Sequence, residues 1–400
     1  MKKYIAIWLC LMLLPLSAFG ATKAALPLEI SAESAVLMDA VSGKIIYEKR
    51  AYVRRPPAST TKIMTSILAL ENGDLQSTVT ASVKASKTEF GSLRLKAGEQ
   101  LTLENLMYAM LLRSANDAAI AVAEHIAGSE SQFVAMMNEK SKEIGAKHTH
   151  FENPHGLYNP KHYSTAYDLA LMAKYATRIP KFNELVSTRT KRIERSLNKK
   201  DEYLINTARF LWRFNGADGI KTGYTKEAGH CFVGSATRDG WRLIAVVLKS
   251  NNSGEDAAAL LDYGFKNFQQ VCLAADYKPV AAIPVKGGVV DKVDLLPAGN
   301  IAFILKRPAN VKADIKIDAR KTTSAPVEKG EKLGMLTGYM NGKKVGTVDL
   351  VAAETVERTL AATIGVWVRA MLTVSALFLV GYIAYGTATA KAARRRRCGF

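Results

Sequence analysis

Twenty uncharged residues run from Ala370 to Thr389, and Lys391 and the run Arg394-Arg395-Arg396-Arg397 follow at once. As a helix that stretch is about 30 Å long, enough to cross the hydrocarbon core of a bilayer. No other feature restricts the fold as strongly, because everything before the span must fold on one side of a membrane. The apolar stretch opens near Leu360 with Arg369 as its one charge, beside Trp367, where an arginine can snorkel to the interface. The expected membrane helix covers 361–389 and a basic cytoplasmic tail 390–400, since basic flanks stay inside. A helix lying on the membrane surface would need a charged face, and 370–389 has none.

The other end agrees. Lys2 and Lys3 precede an apolar run from Tyr4 to about Leu16, and Ala18-Phe19-Gly20 supplies the small-x-small pattern of a cleavage site. That reads as a secretory signal peptide over residues 1–20 rather than a buried helix. Cys10 lies within the run and not at its end, which argues against a lipoprotein site. The body is expected to be exported and to face outward.

This placement reinterprets the charge. The formal net charge of +19 invites a nucleic-acid reading. Seven of those charges sit in the two ends, leaving twelve for residues 21–389. An exported, anchored body has no routine access to DNA, whereas a cell envelope offers phosphates and carboxylates. With 48% apolar residues and no low-complexity tract, disorder is excluded as well. Of four cysteines only Cys231 and Cys272 face the oxidising side, which permits a disulfide without requiring one. Cys231 sits in an alternating pattern and reads as a buried free thiol.

Two folded regions fit between the ends. Ile30 to Lys49 alternates around Ser42-Gly43 and reads as a hairpin. Pro56-Pro57 opens a helix to about Asn72, closed by Gly73. Leu103–Leu112 and Ala115–Ala127 read as helices broken near Arg113-Ser114, followed by helices over Ser131–Ile144 and Thr165–Thr177. From Gly219 the period falls to two: Ile220–Thr225, His230–Thr237 and Trp241–Lys249 read as antiparallel strands, and Glu255–Gln270 as a helix. Helices inserted between an early hairpin and late strands of one sheet imply an α/β (α+β) domain over 26–274. The short β-runs of Val280–Val351, punctuated by Gly-Gly and Asn-Gly, imply a small all-β domain over 275–355.

Three short patterns carry chemistry. Ser59-Thr60-Thr61-Lys62 places serine and lysine three apart, on one face of a helix start where partial positive charge favours a developing alkoxide. A lysine pressed against another cation favours its neutral form, as a general base requires. Ser114-Ala115-Asn116 falls at a helix break, and Lys221-Thr222-Gly223 on the first late strand, where Gly223 would let a substrate backbone approach. The three follow in order, 55 and 107 residues apart. That is the signature set of penicillin-binding proteins and class A β-lactamases.

With these residues the chain resembles the D-alanyl-D-alanine carboxypeptidases of the low-molecular-mass, penicillin-binding protein 5 type. The stretches Leu112–Ala119, Phe151–Leu157, His162–Ala166 and Asp218–Thr225 look like that family too, and the resemblance runs from the signal through the trailing β-domain. It implies a β-lactamase/transpeptidase-like catalytic domain acting on peptidoglycan stem peptides at the bacterial cytoplasmic membrane. Ser59 would attack the carbonyl between two terminal D-alanines and Lys62 would take its proton. Ser114 and Lys221 would relay a proton to the leaving amine. Asn116 would hold the substrate amide, and Thr222 the terminal carboxylate. The backbone N–H groups of Ser59 and Tyr224 would form the oxyanion hole, and β-lactams would acylate Ser59 as mimics. The family's arginine after the third strand has no counterpart in Ser250–Gly254, and Arg242 and Lys249 do not match it by position.

No cofactor is expected, and no metal: His-Glu-x-x-His is missing and His148-Thr149-His150 lacks a third ligand. His155 and His162 read as loop-shaping. The basic group Arg189, Lys191, Arg192, Arg195, Lys199, Lys200 reads as a solvated face. The competing functions are a β-lactamase or D,D-endopeptidase on the same fold, and a non-catalytic wall-binding protein.

Overall fold

A computed structural model describes residues 28–397. The signal segment expected over 1–20 lies outside the described residues, as do the side chains of the tail from 390 onward. The early hairpin forms as β1 (Ser34–Asp39) and β2 (Ile45–Lys49), and the late strands as β3 (Ala217–Thr225), β4 (Gly229–Arg238) and β5 (Trp241–Ser250). They make one antiparallel sheet in the order β2-β1-β5-β4-β3, so the first strand of the fold pairs with the last. β1 is therefore interior and buried along its whole length.

The helical insert covers one face of this sheet. It contains α1 (Lys62–Asn72), α2 (Leu103–Leu112) and α3 (Asn116–Ala127), with further helices over Glu130–Ile144 and Ala166–Ala176. Alternation along the strands sends Val36, Met38, Ile244 and Val246 into the core shared with Ile63, Ile67, Leu106, Val122 and Phe133. The opposite face meets the helix Ser253–Asn267. There Gly264 lets the helix approach, since a Cβ would come within 2.6 Å of Leu243 and 2.8 Å of Leu37. This helix stops at Asn267, short of the expected Gln270. Phe268–Ala274 instead runs as a strand antiparallel to Ile301–Lys306, so a β-partner overrides the helical continuation and joins these residues to the later part of the chain rather than to the β1–β5 sheet.

The remaining β-runs form a six-stranded sheet whose centre pairs 332–340 with 343–352 and 343–352 with 292–297. Its own core holds Val293, Leu295, Leu333, Leu336 and Leu350. Gln270 donates to Asp39 at 2.8 Å, Asn300 to the Val41 carbonyl at 3.1 Å, and Arg178 pairs with Asp276 at 2.7 Å, which fastens this region beside β1. A helix over Leu360–Arg397 closes the described chain, and its segment Leu360–Thr389 is long and apolar enough to cross a membrane.

One expectation about surface charge fails. Arg195 is not solvated: it is 2% exposed, and its guanidinium holds buried Glu99 with two bonds of 2.8 and 3.0 Å. Its third nitrogen donates to the Leu93 carbonyl at 3.0 Å. A fork of five donors satisfies a carboxylate and a carbonyl at once, which is why this arginine tolerates burial. Arg189, Lys191 and Arg192 lie instead over the rings of Trp212, Tyr108 and Tyr203. Removing half of the buried pair strands a charge. Glu99→Gln is expected to lower unfolding free energy by about 3–5 kcal/mol in denaturant titration. A loss no larger than that of an exposed pair would refute this role.

Candidate active site

The chain reaches Ser59 through a strained approach. Ala58 takes φ +48, and the 3₁₀ turn Ala58–Thr61 then leads into α1, so the nucleophile candidate sits on the turn and Lys62 opens the helix. Ser59 is half-buried and Lys62 fully buried. Lys62 Nζ lies 3.0 Å from Ser59 Oγ, 2.7 Å from Asn116 Oδ1 and 2.7 Å from the His155 carbonyl. Burial holds this amine well below the ordinary lysine range, and the Lys221 charge lowers it further, against a smaller pull from Asp117.

A neutral amine has two N–H bonds and one lone pair. The two shorter contacts are to oxygens that only accept, so they take both N–H groups, and the lone pair is left for the Ser59 hydroxyl. Hydroxyl-to-amine proton transfer is the chemistry this arrangement supports.

The second element lies where it was expected. Ser114 lies between α2 and α3, flanked by Arg113 and Ala115, with φ +59, a left-handed residue that ends one helix and redirects the next. Its hydroxyl makes no hydrogen bond to Lys62 or Lys221 among the described residues. Asn116 is 4% exposed, and its amide is already committed. Oδ1 accepts from Lys62, while Nδ2 donates to the carbonyls of Glu89 and Phe90. Asn116 thus braces the lysine against a loop, a duty additional to the expected hold on the substrate amide.

On β3, Lys221 is 1% exposed and burial pushes its amine down to about 7; Nζ donates to the Thr222 carbonyl at 3.0 Å. Gly223 also answers a constraint within the fold. A Cβ there would come within 2.9 Å of Ser59 N and 3.1 Å of the Ala58 Cβ, so glycine lets β3 press against the nucleophile turn itself. The Tyr224 side chain is exposed and packs on the His230 ring at 4.7 Å.

Several supports carried no pattern in the sequence. Gly156, at φ +90, faces the Ala58 carbonyl so closely that a Cβ would lie 1.9 Å from that oxygen. Asn153 Oδ1 accepts from Gly156 N at 2.7 Å and Thr65 donates to the Pro154 carbonyl, which pins the loop to α1. His155 and His162 are both pushed down to about 3, chiefly by burial, with nearby positive charge adding to it. Both stay neutral, each accepting a backbone N–H at Nδ1, so His162 donates from Nε2 to Thr61 Oγ1 at 2.9 Å. Asp117 accepts from Leu93 N, Leu95 N, Ala118 N and Ser92 Oγ. Thr61 and Thr65, two and six places after Ser59, and Asp117, one place after Asn116, were the available signal.

The basic residues left open are tied elsewhere. Arg242 pairs with Asp218 at 2.8 Å and donates to Asn183, and Lys249 pairs with Glu33 at 2.9 Å. Cys231 and Cys272 are both free thiols, the first buried. Among the described residues no three His, Cys, Asp or Glu side chains are grouped to hold a metal ion.

The antiparallel sheet, its helical insert and the cleft between α1, α3 and β3 define the penicillin-binding protein/β-lactamase fold. The chain belongs to the D-alanyl-D-alanine carboxypeptidase family, whose sequence model matches residues 21–252. A second model, described as the penicillin-binding protein 5 C-terminal domain, matches 268–358. The D-alanyl-D-alanine carboxypeptidase DacF of Bacillus subtilis is 35% identical over 84% of this chain and 90% of its own length. DacC of Escherichia coli is 33% identical over 85% and 88%. The crystal structure of penicillin binding protein 5 from Haemophilus influenzae superposes with a TM-score of 0.60 at 29% identity, covering 82% of this chain and 98% of that one.

Gly156→Ala should displace the Ser59 turn through the Ala58 carbonyl. Misplacement of a nucleophile by about 1 Å costs about a hundredfold in rate. The expected outcome is that loss in acylation by a fluorescent penicillin, with the far-ultraviolet circular dichroism retained. Acylation at the wild-type rate would show that the turn does not depend on this contact.

Proposed function

We propose that this chain is a serine D,D-carboxypeptidase that removes the terminal D-alanine of peptidoglycan stem pentapeptides, with Ser59 as nucleophile and Lys62 as its base. The observation that carries the reading is the buried amine of Lys62, held well below the ordinary lysine range, 3.0 Å from Ser59 Oγ and 2.7 Å from both the Asn116 Oδ1 and the His155 carbonyl.

Ser59 Oγ attacks the carbonyl of the penultimate D-alanine as its proton passes to Lys62. Negative charge on the carbonyl oxygen is received by the backbone N–H groups of Ser59 and Tyr224, each donor worth roughly 3 kcal/mol in comparable enzymes. Ser114 and Lys221 pass a proton to the departing amine, a path that substrate completes by filling the gap beside Ser114. Thr222 engages the terminal carboxylate, and Gly223 keeps the strand at the nucleophile turn. Asn116 serves the base first and the substrate amide second. Water then hydrolyses the ester, and a β-lactam at the same serine gives a stable acyl-enzyme.

The same reading places the enzyme outside the cytoplasmic membrane of a bacterium, exported by residues 1–20 and anchored by 361–389. The span Leu360–Thr389 and the basic residues after it support the anchor and its orientation. A D,D-endopeptidase would use the same catalytic residues. Intact-mass analysis should find a penicillin adduct on the wild type and none on Ser59→Ala. A folded wild type that takes no adduct would overturn the assignment.

The lysine pair also predicts a pH effect with a definite sign. The Lys221 charge repels a proton on Lys62, so Lys221→Gln should make Lys62 easier to protonate. Its base form then appears only at higher pH, and the acid limb of the residual acylation rate should move to the alkaline side. An unmoved or acid-shifted limb would show that the two amines are not coupled.

A further inference from the structure

The six-stranded sheet ends in a strand, Ala313–Ala319, that is exposed at every position but its last. It pairs on one side only, antiparallel with Lys332–Met340, in unbroken register from Ala313 opposite Met340 to Ala319 opposite Gly334. Two hydrogen bonds fix which of its backbone groups face that neighbour. Arg320 N–H donates to the Leu333 carbonyl at 2.9 Å, and Asn341 N–H to the Lys312 carbonyl at 2.8 Å. Bonded and non-bonded pairs alternate along an antiparallel ladder. Even-numbered residues from 312 to 320 therefore turn their backbone towards the sheet, and odd-numbered ones turn theirs outward. Ile315 agrees, since its N–H donates to Asp314 Oδ1 at 2.8 Å instead of to a strand. Ile317 is the next outward donor and acceptor, and no strand lies beyond it.

The side chains of this edge carry a pattern. One face reads Lys312, Asp314, Lys316, Asp318, Arg320, with the sign of charge alternating at every step. The other reads Ala313, Ile315, Ile317, Ala319, and its two isoleucines are 40% and 38% exposed. Edges that stay single are guarded by proline, by a bulge, or by charge turned to the inner face. This strand has none of the three. Charge of one sign would also repel a copy, whereas alternating charge can be matched by one. Centred on Ile317, an antiparallel copy sets Lys316 against Asp318 and Asp314 against Arg320, each twice by symmetry. Ile317 then faces Ile317, and Ile315 faces Ala319. These outward pairs exchange backbone hydrogen bonds, and the charged pairs fall at the closer positions, with Cα atoms about 4.5 Å apart. A two-fold moved by one residue, to Lys316 or to Asp318, brings like charges together throughout. A two-fold at Ile315 matches charge as well, but its central donor is the N–H that Asp314 already holds.

We propose that the strand Ala313–Ala319 is a self-complementary edge, through which two copies of this chain join antiparallel about a two-fold axis at Ile317. The sheet of one β-domain then continues into the sheet of the other. This pairing is independent of the acyl-enzyme reading above. A single seven-residue strand buries little surface beside a standard protein interface, so the contact is weak between freely diffusing copies. The apolar helix Leu360–Thr389 answers that weakness, because two copies held in one membrane meet at a raised effective concentration.

The test uses the full chain reconstituted in lipid vesicles, with Cys10→Ser, Cys272→Ser and Cys398→Ser as background and buried Cys231 kept. Ile317→Cys in this background should give a disulfide-linked dimer on mild oxidation, because facing residues at that position lie about 5.5 Å apart at Cα, within disulfide range. Ile315→Cys should link more slowly. Asp314→Lys/Asp318→Lys makes the edge wholly basic, and Lys316→Asp/Arg320→Asp makes residues 314–320 wholly acidic. Each set turns four cross-strand pairs from attraction to repulsion, so each should slow linking through Ile317→Cys at least about tenfold. An equal mixture of the two sets should restore it. Circular dichroism and thermal unfolding report that the charge variants are folded; should they not be, the two cysteine positions decide alone. No linking through Ile317→Cys, faster linking through Ile315→Cys, linking indifferent to charge, or a mixture that stays slow would each overturn the pairing. So would a purified chain that fails to link while Ile317→Cys in whole membranes is captured by a different protein.

Discussion

A lysine amine buried against a serine, and held by that burial well below its ordinary range, is the feature around which the rest of this domain is arranged. Water would protonate it at any physiological pH, so the fold must exclude water while still supplying partners for two N–H groups. The partners come from elements distant in sequence: Asn116 at the start of α3, and the His155 carbonyl on a loop between later helices. Each is itself held, Asn116 by the Glu89 and Phe90 carbonyls and the 153–157 loop by Asn153 and Thr65. Arg195 extends the chain of support one step further, through Leu93 and Glu99 to the loop that receives Asp117. A cation that the sequence presents as surface charge is thus an internal brace for the site.

How legible this was depends on where the information is local. The hairpin, the helix break at Ser114 and the change of period near Gly219 are recorded in neighbouring residues, and each element lies within a few positions of its reading. The three catalytic patterns were legible because helix geometry and strand placement fix what serine-x-x-lysine can do. Long-range closeness was not. Nothing near Gly223 says that the obstacle to a Cβ there is Ser59, and nothing near Gly156 points to Ala58. Arg195 looked solvated because its partner lies 96 residues away. Residues 268–270 looked helical because the partner of the strand Phe268–Ala274 begins only at Ile301.

Two glycines with opposite-looking surroundings serve one purpose. Gly223 brings β3 in from the sheet and Gly156 brings the loop in from the helical side, so the Ala58-Ser59 turn is gripped on both flanks by backbone. Backbone contacts vary less than side-chain contacts, because they have no rotamers to sample. A nucleophile held this way keeps its oxygen on the lone pair of Lys62 through the cycle, whereas Ser114, at a positive φ and without a bond to either lysine, is left for substrate to engage.

The position of Asp117 shows why the base survives in such company. A carboxylate one residue from Asn116 would ordinarily hold a proton on a nearby lysine, and its attraction does raise the affinity of Lys62 for one. Its two oxygens, however, are filled by Leu93 N, Leu95 N, Ala118 N and the Ser92 hydroxyl, and it sits in the first turn of α3, where the helix dipole already compensates negative charge. The carboxylate is spent on the loop that carries Phe90 and Gly91 instead of on the cleft. What remains in the cleft is Lys221, which burial pushes down to about 7 and which carries positive charge below that pH, with no carboxylate of its own among the described residues, set against the amine of Lys62. The same excess of positive charge that disfavours a proton on Lys62 attracts an anionic peptide end, so preparing the base and recruiting the substrate are two effects of one field.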